Sequence, residues 1–554
     1  MWIKYSTVCH KARWMVFLVL LLHFVVAIGD NLPGPLSASS RWIVDQKGNR
    51  VKLACINWAA HMEALIPEGL HSQPLPKIIS IISSSGFNCV RLTWAVWMFT
   101  DPTLGSQTVS QSLTSLGLDG ALQGVMSNNP NLAQLTVIQA FEAVINNLAS
   151  QNIMVILDNH LSKPKWCCDL TDGNGFWGDE YFVPGTWING LSAVAKLSLN
   201  HPNVVGMSLR NEPRGFRQNP GDWTKNMKAG AEVVYAENPN LLVLMGGIES
   251  TTQLNFISSS PLTFDTQGIR NKLVYEGHWY SWTILTHTAV SYSEWNPNTV
   301  CAIDTYRFMR STGYLITPGQ QYTSPLFLSE FGMGLQGDAS VADTRYMDCL
   351  FATVAQLDLD FSLWALQGSY YLRSGIKNYN ESYGLVTPSW DAIQNPDFLK
   401  RLQGIMKPLS GQNGNGAATY QNLFHPATGL CVSVSSDSSL VLSECSPSSS
   451  KWSYFDDHGV LVPARSSNLV VATSAGSPAS LASASSCQGS CDWTLVSDSK
   501  LQFSTQVGGQ SLCLDGSSGF AITTNPCTCA SKLQCEFGST QQPGGQWFKF
   551  ITGL

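Results

Sequence analysis

Two glutamates stand where proton transfer and nucleophilic attack could be done on one bond. Glu212 follows the apolar run Val204–Leu209 in the tripeptide Asn211-Glu212-Pro213, and Glu330 closes a second run that begins at Leu326. They lie 118 residues apart (330 − 212). A carboxyl pair of this kind cleaves glycosidic bonds, one member as proton donor and the other as nucleophile or base. Each sits at the tail of a short, continuous apolar run, the pattern of a strand buried on both faces. Parallel barrels assemble their active sites at such strand ends.

The elements that must position the pair are legible on either side of it. Eight strand-like runs alternate with helix-length segments such as residues 132–149. They are Val51–Trp58, Cys89–Trp94, Ile153–Asp158, Val204–Leu209, Leu241–Met245, Leu273–Tyr275, Leu326–Leu328 and Phe361–Trp364. The expected fold is α/β, a (β/α)8 barrel. Residues 41–50 read as a hairpin closing the barrel floor. Polar and aromatic residues gather at the strand ends: Arg91 after the second run, His160 after the third, Asn211 and Glu212 after the fourth, His278 and Tyr280 after the sixth, Glu330 after the seventh, and Trp364 at the end of the eighth. Singly, each is more often a structural residue; it is their joint placement in chain order that points to a site.

At these positions the chain resembles glycoside hydrolase family 5, the cellulase-like barrel enzymes, over roughly residues 40–405. The resemblance implies Glu212 as acid/base and Glu330 as nucleophile of a retaining mechanism. It implies that Asn211 binds a sugar 2-hydroxyl, that Arg91 and Tyr280 hold the nucleophile, that His160 and His278 line the cleft, and that Trp364 floors the subsite of the cleaved sugar. Each role has a physical reason. Glu212 needs a raised pKa to keep its proton, which an anionic Glu330 nearby would help supply. Glu330 must stay ionised, favoured by Arg91 and by a hydrogen bond from Tyr280. Trp364 offers an apolar face to the C–H groups of a pyranose. Asp158 and Glu276 read as supporting groups behind the site. Trp58, Trp94, Trp97, Trp279 and Trp282 read as core.

One long loop, residues 162–179, follows the third strand on the catalytic face. Asp169, Asp172, Asn174 and Asp179 do not match the spacing of a calcium loop, and no Glu closes it. Cys167 and Cys168 are expected to staple the loop to its surroundings, with Trp166, Phe176 and Trp177 bordering a subsite.

Composition narrows the class of partner. The 554 residues are 44% hydrophobic and only 13% charged, with a net charge of −6. That leaves no basic footprint for nucleic acid or anionic membrane and suits a neutral carbohydrate substrate. Residues 1–29 read as a signal peptide: Lys4, Lys11 and Arg13 precede an apolar core from Trp14 to Ile28, with Ala27 and Gly29 before a cut at Asp30. A secreted chain, soluble after signal removal, is expected. A sequon at Asn380-Glu381-Ser382 agrees with export. Eight of the 15 cysteines lie beyond residue 430, a density that suggests disulfides, while no His stands with them at zinc-ligand spacing. No metal or organic cofactor is expected.

The domains read as a barrel over residues 30–409, a Gly/Asn-rich linker over 410–416, and a C-terminal unit over 417–554. In that unit three repeats end on Trp452, Trp493 and Trp547, spaced 41 (493 − 452) and 54 (547 − 493) residues apart. It resembles a ricin-B-type β-trefoil, an all-β fold, which implies bridges Cys431–Cys445 and Cys513–Cys527 or Cys513–Cys529. Of the residues that bind sugar in that family, only Asp515 keeps the expected Asp; Ser433 and Ala472 replace it in the other repeats. Weak sugar binding at Asp515, or a purely structural unit, are the two expectations. For the whole chain the expected activity is retaining hydrolysis of β-glycosides or glycans. Transglycosylation by the same residues and a catalytically idle carbohydrate binder are the alternatives.

Overall fold

Inward-facing positions along the strands pass from apolar to polar, and this gradient gives the molecule a sealed floor and a reactive mouth. A computed structural model describes residues 32–409 and 421–551, apart from 284–289, 338, 446–449, 456–458, 465–468, 475–476, 488–490, 532–533 and 536. The signal-peptide segment 1–29 and the linker 410–416 lie outside the described residues.

Eight parallel strands close into a barrel in chain order: β1 (Ala54–Trp58), β2 (Cys89–Ala95), β3 (Met154–Leu161), β4 (Val204–Ser208), β5 (Leu242–Gly246), β6 (Leu273–His278), β7 (Leu326–Phe331) and β8 (Asp360–Leu363), with β8 pairing back onto β1. Side chains alternate along a strand, so every second residue points inward. At the floor these are Cys55, Cys89, Ile156, Leu244, Val274 and Phe327, one apolar cluster plugged from below by Leu36 and Ile43. Ile43 comes from a hairpin of Ser37–Ser39 and Trp42–Val44, which begins before the hairpin expected over residues 41–50, where Val44 and Arg50 form a single bridge. Two residues further along, the same faces carry Asn57, Arg91, Asp158 and Glu276, all buried. The expected strands stop short of the observed ones here. β3, β6 and β7 run on through His160, His278 and Glu330, because a polar residue facing a polar barrel mouth does not end the hydrogen-bonded ladder.

Helices cover the outside: α1 (Leu75–Ser84), α2 (Val137–Ser150), α3 (Pro184–Ser198), α4 (Pro220–Glu237), α5 (Pro297–Ser311), α6 (Val341–Leu357) and α7 (Pro396–Gln403). Their starts are written locally. Thr136 and Gln139 form a reciprocal capping box on α2, and Asn219, Asn296, Ser340 and Asn395 cap α4 to α7 with their side chains. Proline occupies the first turn of α3, α4, α5 and α7, where its missing N–H has no partner to lose. After β8 a hairpin, β9 (Ser369–Arg373) and β10 (Ile376–Asn380), stands on the catalytic face.

From Gln421 to Ile551 the chain is built from antiparallel strands, and its last strand, Lys549–Ile551, pairs with its first, Gln421–His425. Trp452 and Trp493 occupy equivalent places in its core, each donating its indole N–H to a valine carbonyl, Val432 and Val471, at 2.8 and 2.9 Å. Cys431–Cys445 and Cys513–Cys527 are bridged, and Cys529 pairs with Cys535. In the barrel, Cys55–Cys89 joins β1 to β2 and Cys301–Cys349 joins α5 to α6. Among the described residues no helix is long and apolar enough to cross a membrane.

Candidate active site

Arg91 organises the barrel mouth. Fully buried on β2, it donates to Glu330 Oε1 at 2.9 Å, to Asn57 Oδ1 at 2.9 Å and to Asn211 Oδ1 at 3.0 Å, and pairs with Asp158 at 2.9 Å and Glu276 at 3.6 Å. A guanidinium only donates, so it forces the amide oxygens of Asn57 and Asn211 toward itself and turns the Asn211 NH2 outward. That NH2 lies 3.4 Å from His160 Nε2. His160 is fixed as an acceptor there because its Nδ1 is 2.6 Å from Asp158 Oδ2, the tautomer logic of a neutral imidazole. Burial holds His160 well below the usual histidine range. Its ring is stacked between His61, at 4.0 Å, and Trp364, at 5.5 Å.

Glu330 receives a second hydrogen bond from Tyr280 Oη, 3.0 Å from Oε2. Glu212 shares a 2.9 Å hydrogen bond with His278 Nδ1, and one oxygen each of Glu212 and Glu330 and a ring nitrogen of His278 all lie within 4.8 Å of one another. Burial pushes Glu212 up to about 7, against the opposing pull of Arg214 and Arg91. Desolvation is the largest cause, and the repulsion expected between the two carboxyls shows on Glu330, which Glu212 pushes up. Burial also raises Glu330, opposed by His278 and Arg91, so the expected lowering by Arg91 is outweighed. Burial takes the His278 imidazole down to about 4, so it is neutral beside the acid. Two carboxyls, one charged guanidinium and two neutral imidazoles therefore share a site that can hold one proton on Glu212 while Glu330 faces the same space.

That space is a cavity of about 260 Å³ bordered by Glu212, Glu330, His160, Tyr280 and Trp364. Arg91, Asn211 and His278 lie immediately behind its wall, so the eight expected positions come together. Several sequence readings are corrected. Cys167 and Cys168 bridge to each other rather than to the surroundings, and both border the cavity, each Sγ 3.8 Å from the Asn211 NH2. Adjacent cysteines have no sequence signal that separates these outcomes. Trp282, read as core, is 45% exposed, stacks on Tyr280 at 4.9 Å and borders the cavity. Trp166 borders it as expected, whereas Phe176 and Trp177 are buried and do not line this cavity. Trp58, Trp94 and Trp279 are core. The acidic residues of the loop have structural partners: Asp172 pairs with Arg214, and Asp179 accepts from the Phe176 N–H. Sequence reasoning missed Asn57, His61, Arg373, Glu381 and Tyr383; Arg373 lies on the hairpin after β8, and Glu381 and Tyr383 just beyond it.

Comparison with known proteins agrees with this geometry. A family model described as Cellulase (glycosyl hydrolase family 5) matches residues 44–369. A glycosyl hydrolase 5 family protein of Chamaecyparis obtusa is 41% identical over 545 residues, covering 96% of this chain and 95% of that protein. An endoglucanase of Paenibacillus polymyxa is 23% identical over 409 residues, covering 70% of this chain and 90% of its own length. Among solved structures, the catalytic domain of the major endoglucanase from Xanthomonas campestris pv. campestris superposes with a TM-score of 0.53 at 24% identity, over 67% of this chain and 99% of that one.

Proposed function

We propose that this chain, which belongs to glycoside hydrolase family 5, is a secreted retaining β-glycosidase acting on a β-linked glycan or glycoside. The observation that carries the reading is the Glu212–Glu330 pair, whose nearest carboxyl oxygens lie within 4.8 Å. Retaining pairs stand about 5–5.5 Å apart and inverting pairs about 6.5–9.5 Å, the larger gap holding a water. In the first step Glu330 attacks the anomeric carbon while Glu212 protonates the departing oxygen, giving a glycosyl ester on Glu330. In the second, Glu212 takes a proton from water, which attacks the same carbon and releases Glu330. Asn211, its NH2 aimed outward by Arg91, meets the 2-hydroxyl. The relatives named endoglucanases support a β-glucan-like substrate class.

The roles separate by mutation. Glu330→Ala is expected to abolish turnover on every substrate. Glu212→Ala is expected to retain glycosylation by aryl glycosides with acidic phenol leaving groups, and added azide should then yield a β-glycosyl azide. Equal failure of both variants on activated and unactivated substrates sinks the assignment.

Export is part of the same reading, supported by the signal-like residues 1–29 and the disulfide density; N-terminal sequencing of protein recovered from the medium should begin at Asp30, and retention of the leader inside the cell would contradict it. For the C-terminal unit we propose a ricin-B-type trefoil, supported by its chain-end closure and its repeated tryptophans, with one weak sugar site at Asp515.

A further inference from the structure

Two segments that follow different strands meet at the wall of the catalytic pocket. The loop after β3 brings Trp166 to the mouth, and the β9–β10 hairpin after β8 brings Arg373. These two side chains are stacked, the guanidinium carbon 3.4 Å from the indole ring centroid. Tyr370 meets the same indole edge-on at 5.5 Å. Arg373 is fixed in turn by Glu381 Oε2 at 2.9 Å, an oxygen that also accepts from Tyr370 Oη at 2.6 Å. The other oxygen of Glu381 accepts the backbone N–H of Tyr383 at 3.0 Å. On its far side Trp166 runs directly into the Cys167–Cys168 bridge, which lies against Asn211.

Topology makes this contact consequential. β3 and β8 are not neighbours; β1 and β2 stand between them in the barrel. A Trp166–Arg373 stack therefore arches across the mouth over the ends of β1 and β2. The departing group leaves on the side of its proton donor, Glu212, which follows β4. The sugar that is retained on the enzyme lies over Trp364, at the end of β8, toward the arch. An enzyme that cuts inside a polymer must let the chain continue past that sugar. A charged, hydrogen-bonded arch at this place instead presents guanidinium donors to a ring whose outer hydroxyls are free, as they are only at a non-reducing end.

We propose that the Trp166–Arg373 arch closes the glycone end of the pocket behind a single sugar ring, making the enzyme exo-acting: it takes single residues from the non-reducing ends of short β-linked oligosaccharides and from small β-glycosides. The proposal rests on the glycosidase reading above and departs from the endo action in the name of the bacterial relative.

The test is the product pattern of the full-length enzyme. Cello- and manno-pentaose labelled at the reducing end, soluble mixed-linkage β-glucan and aryl monoglycosides serve as probes. The expected result is a ladder shortened one residue at a time, or cleavage of aryl monoglycosides alone, with β-glucan viscosity nearly unchanged while reducing sugar accumulates. Early release of di- and trisaccharides with a rapid fall in viscosity overturns the arch. Inactivity on every probe, or activity that survives Glu330→Ala, overturns the glycosidase reading itself and the arch with it. Trp166→Ala/Arg373→Ala should open the glycone end: its preference for pentaose over aryl monoglycoside should rise about tenfold, the equivalent of about 1.4 kcal/mol, and disaccharide should appear among its products. A double variant that folds and still releases only single residues also refutes the arch; if it does not fold, the wild-type pattern decides.

Discussion

Glu212 keeps its proton because of where it is buried, and the surroundings tune that proton in a measurable direction. Its carboxyl is raised to about 7 by desolvation, with Arg214 the largest opposing influence and the partner of Arg214, Asp172, pushing the other way. The backbone at Glu212 is also unusual, with φ of +45°, a left-handed conformation that costs a branched or long side chain about 1–2 kcal/mol. Arg214 holds it there, donating to the Glu212 carbonyl at 3.0 Å. As an acid, Glu212 works only when protonated, so kcat/KM on unactivated glycosides should fall above about pH 7 with unit slope. Arg214→Gln removes the opposing charge and leaves Asp172 unneutralised, so the alkaline limb should move to higher pH. A limb that stays in place, or moves down, would show that Glu212 is not the group titrating. Aryl glycosides with acidic leaving groups need no proton in the first step and should lack the limb in kcat/KM.

At the scale of strands, the barrel and the order of its site residues were legible because both depend on local pattern: apolar runs of strand length, each ending in a polar group. What the pattern hides is which way a side chain points. On β7, Phe327 faces the barrel floor and Leu328 the helical layer. Strict alternation would then send Glu330 outward with Leu328. The ladder between β6 and β7 slips by one residue there, from Gly277 opposite Leu328 to His278 opposite Glu330, and the extra residue, Ser329, turns Glu330 inward. On β3 a slip, with Trp94 opposite Asn159 but Ala95 opposite Leu161, leaves His160 unpaired, although His160 already alternates inward with Ile156 and Asp158. Such bulges re-aim side chains near active sites, and no residue type announces them. The same limit explains Trp282 and the β9–β10 hairpin. Their place at the cavity comes from loops folding across strand ends, which carries no periodicity to read. The buried cluster of Asp158, Glu276 and Arg91 was recognisable as support, but its consequence was not: burial raises Asp158 and takes Glu276 up to about 7, and the one guanidinium, shared among three carboxyls, lowers each without offsetting that rise.

Across the whole molecule the two units are joined by buried polar contacts as well as by the chain. Asn296 caps α5 through its oxygen and, through its NH2, donates to the carbonyls of Cys529, Ser531 and Gln534 at 2.9–3.1 Å. Arg345 on α6 donates to the carbonyls of Ser539 and Gln541, both at 2.6 Å. A C-terminal unit docked in this way holds any sugar site of its own at a set distance from the catalytic mouth, so even weak binding would raise the local concentration of a long substrate and do little for a short one. Asp515 is the single candidate for that site, and its carboxylate is already engaged: Oδ1 accepts from the Ser517 N–H at 2.8 Å, and Oδ2 from Asn525 and Gln546 at 3.0 and 3.1 Å. A sugar hydroxyl must compete with these partners, which sets the expectation of weak, monovalent binding. Titrating the intact Glu330→Ala protein with galactosides and β-linked oligosaccharides measures it, since turnover is then absent. Binding at the catalytic pocket is separated by repeating the titration with Asp515→Ala in the same background. A weak, saturable component that disappears with Asp515→Ala places a sugar on the C-terminal unit; one that persists refutes the Asp515 site, and a single component in both proteins leaves the unit as a stabilising cap on α5 and α6.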